Sequence, residues 1–370
     1  MAEVRLTRVM ASPYMEWAKL HSQARFTLAG SGVPDYPLSD LPVRLEDLEL
    51  TGPSTYGWPP LQERLAAKCG VGTDNVVAAI GTSMANHLAL AALLDPGDEV
   101  VIERPAYEPL LAVAQYLGAE VRRFARRPED GFAVDADEVA RAVTPRTKAI
   151  VLTNLHNPSS VLMDQETLRR VGSIARRVGA RVLVDEVYLD ALFEKAPPSS
   201  FHLDPGCFVV TSSLTKAYGL SGLRCGWVVA DPELARRMWR LDDLFGAVPA
   251  HPAERLSAVA LDHLPRIAAR AKALLETNRK IWNEFLDRRT DIEGDRLEGG
   301  TTAFPHLTRG NADEMNADEM CRNLRDRHET TVVPGRFFEM PQHFRVAVGC
   351  PTETLREGLE RLGAALDEAG

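Results

Sequence analysis

Strand-like apolar runs alternate with helix-like segments through the first two thirds of this chain. Val76–Ile80 and residues 149–153 are short runs of Val, Ile, Ala and Leu, as expected of strands buried on both faces. Between such runs, as in Ala136–Ala142, apolar residues recur at helical spacing. We therefore predict an α/β fold in which helices cover both faces of a mostly parallel sheet.

Composition and charge narrow the class of protein. The chain has 370 residues, 45% of them hydrophobic and 26% charged, which is ordinary for a globular enzyme with two subdomains. Lys and Arg number 43 and Asp and Glu 52, so the net charge of −9 argues against a nucleic-acid partner. The five cysteines lack metal-ligand spacing, and no long apolar stretch suggests a membrane span. We expect a cytoplasmic protein with reduced thiols, no bound metal and no membrane partner.

One lysine lies in an unusual setting. Lys216 follows an apolar run and stands among small hydroxyl residues, with no charged residue between Asp204 and Arg224. Burial disfavours the ammonium form, so such a lysine is pushed towards the free amine that can attack a carbonyl carbon. The same residues also allow a loop lysine that caps the preceding strand or pairs with a distant carboxylate. Both interpretations stay open on this stretch alone.

The residues around this lysine carry a family resemblance. The sequence Ser213-Leu214-Thr215-Lys216, with Arg224 eight positions on, resembles the cofactor-lysine motif of class I/II aminotransferases, which are pyridoxal-phosphate enzymes of fold type I. The resemblance implies that Lys216 holds pyridoxal 5'-phosphate as a Schiff base and that Ser213 and Arg224 bind the cofactor phosphate. Further motifs of the family follow in the same order along nearly the whole chain.

The resemblance also implies an architecture. It consists of a three-layer large domain around a mostly parallel sheet and a smaller α+β domain formed by both ends of the chain. We expect residues 1–40 to join the small domain, residues 41–255 to form the cofactor-binding large domain, and residues 256–370 to form the C-terminal small domain. One long helical pattern, about residues 252–289, should carry the boundary. In residues 311–320 the sequence Asn-Ala-Asp-Glu-Met occurs twice, which predicts a loop entering a helix.

A candidate phosphate site precedes the lysine in the chain. Gly81, Thr82 and Ser83 follow a predicted strand and open a helix. Small residues at a helix start expose backbone amides that suit a phosphate dianion, and the two hydroxyls add donors. A plain Thr or Ser N-cap that binds nothing is the alternative. The resemblance favours a phosphate cradle, and it implies that Tyr107 stacks on the pyridine ring of the cofactor.

A second strong motif is a carboxylate at the end of a hydrophobic strand. Arg181–Asp185 predicts that strand, and a buried carboxylate needs a partner. A helix N-cap and a metal ligand are alternatives to a cofactor contact. In the resembling enzymes the aspartate holds the protonated pyridine nitrogen, so Asp185 is predicted to be catalytic together with Lys216. By the same resemblance Tyr188, also assigned to catalysis, and Asn157 hydrogen-bond the ring oxygen of the cofactor.

Candidates for substrate binding come from both ends of the chain. Arg345 is a lone arginine in an apolar strand, so it is either a buried ion-pair member or a ligand clamp. By position it matches the family's arginine for the substrate α-carboxylate. Gly32, in a glycine-rich stretch, and Asn157 are assigned to the substrate site by resemblance. Tyr56 matches a tyrosine that the family donates across a homodimer to the partner's cofactor phosphate.

The resemblance implies an aminotransferase that moves the amino group of an L-amino acid to a 2-oxo acid, in a homodimer with shared active sites. Two departures from the family pattern keep other reactions open. The loop after Tyr56 is short, and Ser159-Ser160 stands where the family has threonine and glycine. A lyase, racemase or cyclising enzyme of the same fold is therefore an alternative, and a non-catalytic amino-acid sensor is a further one.

Overall fold

The computed structural model describes residues 9–53, 55–308 and 317–368. The α-helices of these residues, in chain order, are α1 (Pro13–Leu20), α2 (Pro59–Cys69), α3 (Gly81–Leu93), α4 (Glu108–Tyr116), α5 (Ala136–Ala142), α6 (Gln165–Val178), α7 (Pro232–Asp242), α8 (His251–Asp262), α9 (Leu264–Asp287), α10 (Ala317–His328) and α11 (Thr352–Glu368). The longer strands are β2 (Val76–Ile80), β3 (Glu99–Arg104), β4 (Glu120–Ala125), β5 (Thr147–Thr153), β6 (Arg181–Asp185), β7 (Phe208–Ser213), β8 (Cys225–Val229) and β14 (Phe344–Ala347). Two-residue strands are β1 (Phe26–Thr27), β9 (Ile292–Glu293), β10 (Thr302–Ala303), β11 (His306–Leu307), β12 (Thr330–Thr331) and β13 (Val333–Pro334).

A seven-stranded sheet forms the centre of the large domain. Its strand order is β2-β8-β7-β6-β5-β3-β4, and every pair is parallel except the two that involve β8. Each side of the sheet packs in its own apolar cluster. One cluster includes residues of α3 and α4, and the other includes residues of α6 and the C-terminal helices. The predicted α/β fold of type I is confirmed. Its parallel strands bring the carboxyl ends of β5, β6 and β7 to one edge, where open sheets of this kind bind ligands.

Local sequence signals set the ends of these elements. Asp164 caps α6 by accepting a hydrogen bond from the Thr167 amide, and Gly179 ends the helix with a left-handed conformation at φ +72°. Inward-facing Leu168 and Val171 pack on the sheet. The helix predicted at Ala136–Ala142 and the strands predicted at Val76–Ile80 and Arg181–Asp185 have these bounds in the structure.

Both ends of the chain meet in a second region. Strand β1 pairs in parallel with β12, and β14 lies between β10 and β13. The N-terminal segment therefore depends on C-terminal strands for its backbone pairing. The three domain limits given above stay a prediction.

The prediction of one long helix near residues 252–289 was wrong. The structure has two helices there, α8 and α9, separated at His263. Pro265 occupies the first turn of α9, where its missing N–H costs nothing, whereas inside a continuous helix it would remove a hydrogen bond and clash with the preceding turn.

The repeated sequence at 311–320 lies largely outside the described residues, and α10 begins at Ala317. Of the helices that the structure describes, none is long and apolar enough to cross a membrane.

Candidate active site

A cavity of about 430 Å³ opens at the carboxyl edge of the central sheet. Thr153, Asp185 and Ser213, the last residues of β5, β6 and β7, line it together with residues of α1 and the loop after β1. The cavity also contains these predicted site residues: Thr82, Ser83, Tyr107, Asn157, Tyr188, Lys216 and Arg224. The fold thus brings together side chains that are up to 210 positions apart in the chain, from Tyr14 to Arg224.

Lys216 projects its amine into this cavity. Its Nζ donates a hydrogen bond to the Ser31 hydroxyl at 2.8 Å, and Lys216 forms no salt bridge with any residue that the structure describes. Burial lowers the pKa of the amine. The structure therefore does not support the alternative of a lysine that is paired with a distant carboxylate. The amine is available as a nucleophile and a base.

Asp185 lies in the same cavity with two neutral donors. Its Oδ2 accepts a hydrogen bond from the Asn86 amide group at 2.8 Å, and its Oδ1 accepts one from the Val187 backbone at 3.1 Å. Burial is the main cause that raises the pKa of Asp185 to about 6. In the described part of the chain no three His, Cys, Asp or Glu side chains are grouped as metal ligands. A buried carboxylate in this state is stabilised by a cationic ligand.

Asn86 is a residue that the sequence analysis missed. It lies on α3, and its Oδ1 accepts a hydrogen bond from Thr211, so its amide group is turned towards Asp185. The available signal was the one amide side chain of α3, a helix whose residues are mostly apolar. Such a residue is buried at a cost unless it has partners, and partners 99 and 125 positions away are not visible in a local pattern.

The start of α3 has the properties of a phosphate site. No side chain caps this helix, and the Thr82 hydroxyl oxygen is buried without a hydrogen-bond partner among the described residues. Gly81 has φ +73°, and a Cβ at this position would lie 2.2 Å from the Arg224 guanidinium. Only glycine therefore allows the arginine to approach the helix start. Ser83 is exposed towards the same opening.

Ser213 and Tyr107 are two further residues predicted to contact the cofactor. Ser213 is buried at the end of β7, and its hydroxyl accepts a hydrogen bond from the Thr215 amide at 3.2 Å. Tyr107 lines the cavity and meets the Tyr14 ring edge-on at a centroid distance of 5.8 Å. Its hydroxyl donates to the Met15 sulfur at 3.6 Å. These contacts hold the Tyr107 ring from the side of α1.

Arg345 is fully buried in β14 and reaches the cavity through its neighbours. One guanidinium nitrogen donates to Asn157 Oδ1 at 2.9 Å and another to the Tyr14 hydroxyl at 3.0 Å. No residue that the structure describes accepts a hydrogen bond from its Nε. Among these residues Arg345 makes no salt bridge either, so the ion-pair alternative is not supported. Tyr14 is a direct partner of this arginine.

Gly32 and Tyr188 pack around the lysine. A Cβ at Gly32 would lie 3.1 Å from both Cα and the carbonyl oxygen of Lys216, and the Val33 amide donates to that same carbonyl at 2.9 Å. Tyr188 is buried, its pKa is raised by burial, and it lines the cavity together with Ser31. The glycine-rich stretch is therefore a close backbone contact of the active-site lysine rather than a plain surface turn.

Tyr56 lies away from this cavity. It is 43% exposed, its hydroxyl donates to Asp243 at 3.4 Å, and its ring lies 5.9 Å from that of Trp239. The structure does not bring it to the site of its own chain. Its predicted role requires a second copy.

These residues fit pyridoxal 5'-phosphate. The unpartnered Thr82 hydroxyl and the uncapped helix start provide donors for a phosphate, and Asp185 provides an anion for a pyridinium nitrogen. Lys216 provides an amine that burial keeps from being strongly basic.

Comparison with known proteins agrees with this fit. The family model described as aminotransferase class I and II matches residues 47–362. Capreomycidine synthase from Streptomyces vinaceus is 32% identical over 369 residues, which covers 96% of this chain and 94% of the relative. Arginine–pyruvate transaminase from Pseudomonas aeruginosa is 28% identical and covers 96% of this chain and 93% of the relative.

Solved structures of pyridoxal-phosphate enzymes also resemble this chain. A PLP-dependent aminotransferase from Streptococcus suis matches with a TM-score of 0.90 at 27% identity, over 97% of this chain and 98% of that one. The PLP-dependent cyclase OrfR matches with a TM-score of 0.88 at 26% identity, over 100% of both chains. This chain belongs to the class I and II aminotransferase family, whose members use pyridoxal 5'-phosphate.

Proposed function

We propose that this protein removes the α-proton of an L-amino acid and transfers its amino group to a 2-oxo acid. The observation that carries the proposal is the state of Lys216: its amine is buried, lacks a carboxylate partner among the described residues and shares a cavity with Asp185. An amine in that state is suited to attach a carbonyl compound covalently and to carry a proton afterwards.

The cofactor is held at two points besides Lys216. We assign Thr82, Ser83 and Arg224 to its phosphate together with Ser213 and the amides at the start of α3, because these side chains line one cavity and Arg224 lies beside the start of α3 at Gly81. Asp185, fixed by Asn86, keeps the pyridine nitrogen protonated. When bound, pyridoxal phosphate supplies a cationic ring that takes up electrons as the substrate's α-proton leaves.

The substrate carboxylate is held by Arg345. The guanidinium is already fixed by Asn157 and Tyr14, which leaves Nε as the donor without a partner among the described residues. A carboxylate bound there has one orientation relative to Lys216, and fixed orientation lowers the activation barrier of the proton transfer. With the cofactor bound, the Nζ of Lys216 would accept the substrate's α-proton and later release it.

A ring-closing reaction is the second candidate. Two comparisons favour it: the 32% identical relative is named a synthase of capreomycidine, and a structure named as a PLP-dependent cyclase matches this chain from end to end. Both reactions begin with loss of the α-proton, so the same residues serve them. They differ in whether the product keeps the amino group of the substrate.

We further propose a homodimer in which Tyr56 reaches the partner's phosphate site. Its ring is 43% exposed and away from the cavity of its own chain, which supports a role towards a second copy. Free thiols at all five cysteines, each of which lies in the described part of the chain, support a reducing, cytoplasmic location.

The test is spectroscopic. Purified protein loaded with pyridoxal phosphate is treated with borohydride and mapped by mass spectrometry, and modification is expected at Lys216. A separate sample is scanned with each L-amino acid, followed by a 2-oxo acid. Loss of the cofactor absorbance with one donor and its return with the 2-oxo acid supports amino transfer. Loss of absorbance with a product that keeps its nitrogen supports ring closure, and an unmodified Lys216 overturns both.

The shared site is tested by mixing two inactive variants. A Tyr56→Phe chain combined with a Lys216→Ala chain yields hybrids with one intact site if Tyr56 acts across the interface. The expected result is partial recovery of activity over either variant alone. Absence of recovery in hybrids confirmed by native mass spectrometry contradicts the crossing of Tyr56.

A further inference from the structure

Ser31 lies where the active-site amine meets the N-terminal segment. Its hydroxyl accepts a hydrogen bond from Lys216 Nζ at 2.8 Å, and the buried Tyr188 lines the same cavity. The amine thus has a neutral oxygen as its hydrogen-bond partner. None of the sequence patterns pointed to this residue, because its flanking glycines suggested only a turn or a close approach of backbone.

The position of this hydroxyl is fixed from both ends of the chain. The Ser31 carbonyl accepts a hydrogen bond from the Thr301 hydroxyl at 2.9 Å. On its other side, Gly32 packs against the backbone of Lys216, and the Val33 amide donates to the Lys216 carbonyl. A loop with these constraints has little freedom to withdraw the serine from the amine.

We propose that Ser31 is a positioning residue that holds the free amine of Lys216 for removal of the substrate's α-proton. This rests on the proposed function. The Ser31 oxygen accepts one N–H of the amine, so that the nitrogen lone pair is turned towards the α-carbon. In the step itself the Cα–H bond breaks, an N–H bond forms on Lys216, and the electron pair passes to the cofactor ring.

A neutral partner suits this task. A carboxylate at the same place would stabilise the ammonium form, which has no lone pair to accept a proton. An aliphatic side chain would leave the amine without an acceptor and free to rotate. The serine does neither, since it accepts a hydrogen bond without adding charge.

The test separates binding from proton transfer with a matched pair of probes. L-alanine has an α-hydrogen that exchanges with deuterium in D₂O when Lys216 acts as a base, and the exchange is followed by proton NMR. 2-Methylalanine has a methyl group in its place, so it reports binding alone through the cofactor spectrum. Both probes are applied to the loaded wild type, Ser31→Ala, Ser31→Thr and the exposed-site control Ser39→Ala.

We expect Ser31→Ala to slow α-hydrogen exchange by about ten- to 100-fold. Its dissociation constant for 2-methylalanine and its melting temperature should stay near those of the wild type. Ser31→Thr restores the hydroxyl and should recover most of the rate, and Ser39→Ala should match the wild type. Exchange at the wild-type rate in Ser31→Ala, or a loss that is matched by weaker binding of 2-methylalanine, overturns the proposal.

Failure of this proposal is distinguishable from failure of the proposed function. If borohydride modifies Lys216 and wild type exchanges the α-hydrogen, the function stands while an unaffected Ser31→Ala removes only the role of Ser31. If Lys216 in the wild type is not modified, the function fails first and the role of Ser31 fails with it.

Discussion

Two partly buried lysines of this protein have opposite environments. Lys68 places its Nζ 2.8 Å from Asp190 and within 6 Å of the Tyr218 and Trp227 ring centres, at 5.7 and 5.8 Å. Burial is the largest single influence and alone would lower its pKa, but Asp190 and Tyr218 together outweigh burial and raise the pKa of Lys68 above its ordinary value. Lys216 has a serine as its partner, and burial lowers its pKa.

The comparison indicates that the interaction partner of such a lysine, rather than burial, determines its pKa and therefore its role. Around Lys68 the chain supplies the opposite charge itself, so that region is electrostatically complete. Around Lys216 the chain supplies only neutral groups, and the nearby acid, Asp185, is held by the Asn86 amide instead of by the lysine. Acid and base are thus kept apart in one cavity, ready for a ligand that needs both.

Removing the amine of Lys216 should have the largest effect on function. We expect Lys216→Met to abolish covalent attachment of pyridoxal phosphate and to lower turnover by at least about 1,000-fold. The protein without cofactor should melt no lower than the wild type, because a desolvated amine has been replaced by an apolar chain of similar length. Mass spectrometry after borohydride and a thermal melt check the two parts, and cofactor that stays covalently bound would contradict the assignment.

Asp185 should make the stability of the cofactor-free protein depend on pH. Its pKa is about 6 when folded against an ordinary 3.8, so between about pH 4 and pH 6 the folded chain keeps a proton that the unfolded chain has lost. The free energy of unfolding therefore decreases as pH rises through this window, by at most about 3 kcal/mol. Urea melts of the wild type and of Asp185→Asn measure it, and parallel pH profiles would show that Asp185 is not the cause.

Lys68→Met is the counterpart of the first change. It leaves Asp190 partly buried without its cation, and we expect a loss of about 2 kcal/mol in the free energy of unfolding. Binding of pyridoxal phosphate and turnover should stay within a few-fold of the wild type, because Lys68 does not line the active-site cavity. A urea melt and a turnover assay decide the matter. A large loss of activity without a loss of stability would contradict the different roles assigned to the two lysines.

The Lys68 arrangement can also be copied onto Lys216. In Ser31→Asp a carboxylate replaces the neutral partner, and the pKa of the Lys216 amine should rise by about one unit. Capture of pyridoxal phosphate then shifts to higher pH, since more of the amine is protonated at a given pH. Absorbance of the captured cofactor against pH measures the shift, with Ser39→Asp as the exposed control. An unchanged profile would mean that the partner does not set the state of this lysine.

Periodic features of the fold were predictable from the sequence. Arg181–Asp185 and Ala136–Ala142 have the predicted bounds because local spacing and the residues that end each element determine them. The break at His263 was missed because apolar residues keep helical spacing across it, although Pro265 was a signal for a new helix start.

The site was predictable where it follows from motifs, and not where it depends on long-range contacts. Lys216, Asp185 and Thr82 line one cavity, as their motifs suggested, while their cofactor roles stay predictions. Ser31 and Asn86 were missed because their partners are 185 and 99 positions away, and only the folded chain brings them together.

The pairing of β1 with β12 also affects how the protein matures during translation. Residues for the ring of the cofactor are all synthesised by position 216, but the N-terminal segment has no strand partner until residues 330–331 have left the ribosome, and Arg345 follows still later. The nascent chain therefore acquires the residues proposed to hold the cofactor ring well before the arginine proposed to hold the substrate carboxylate. A polypeptide released early, before β12, would lack Arg345.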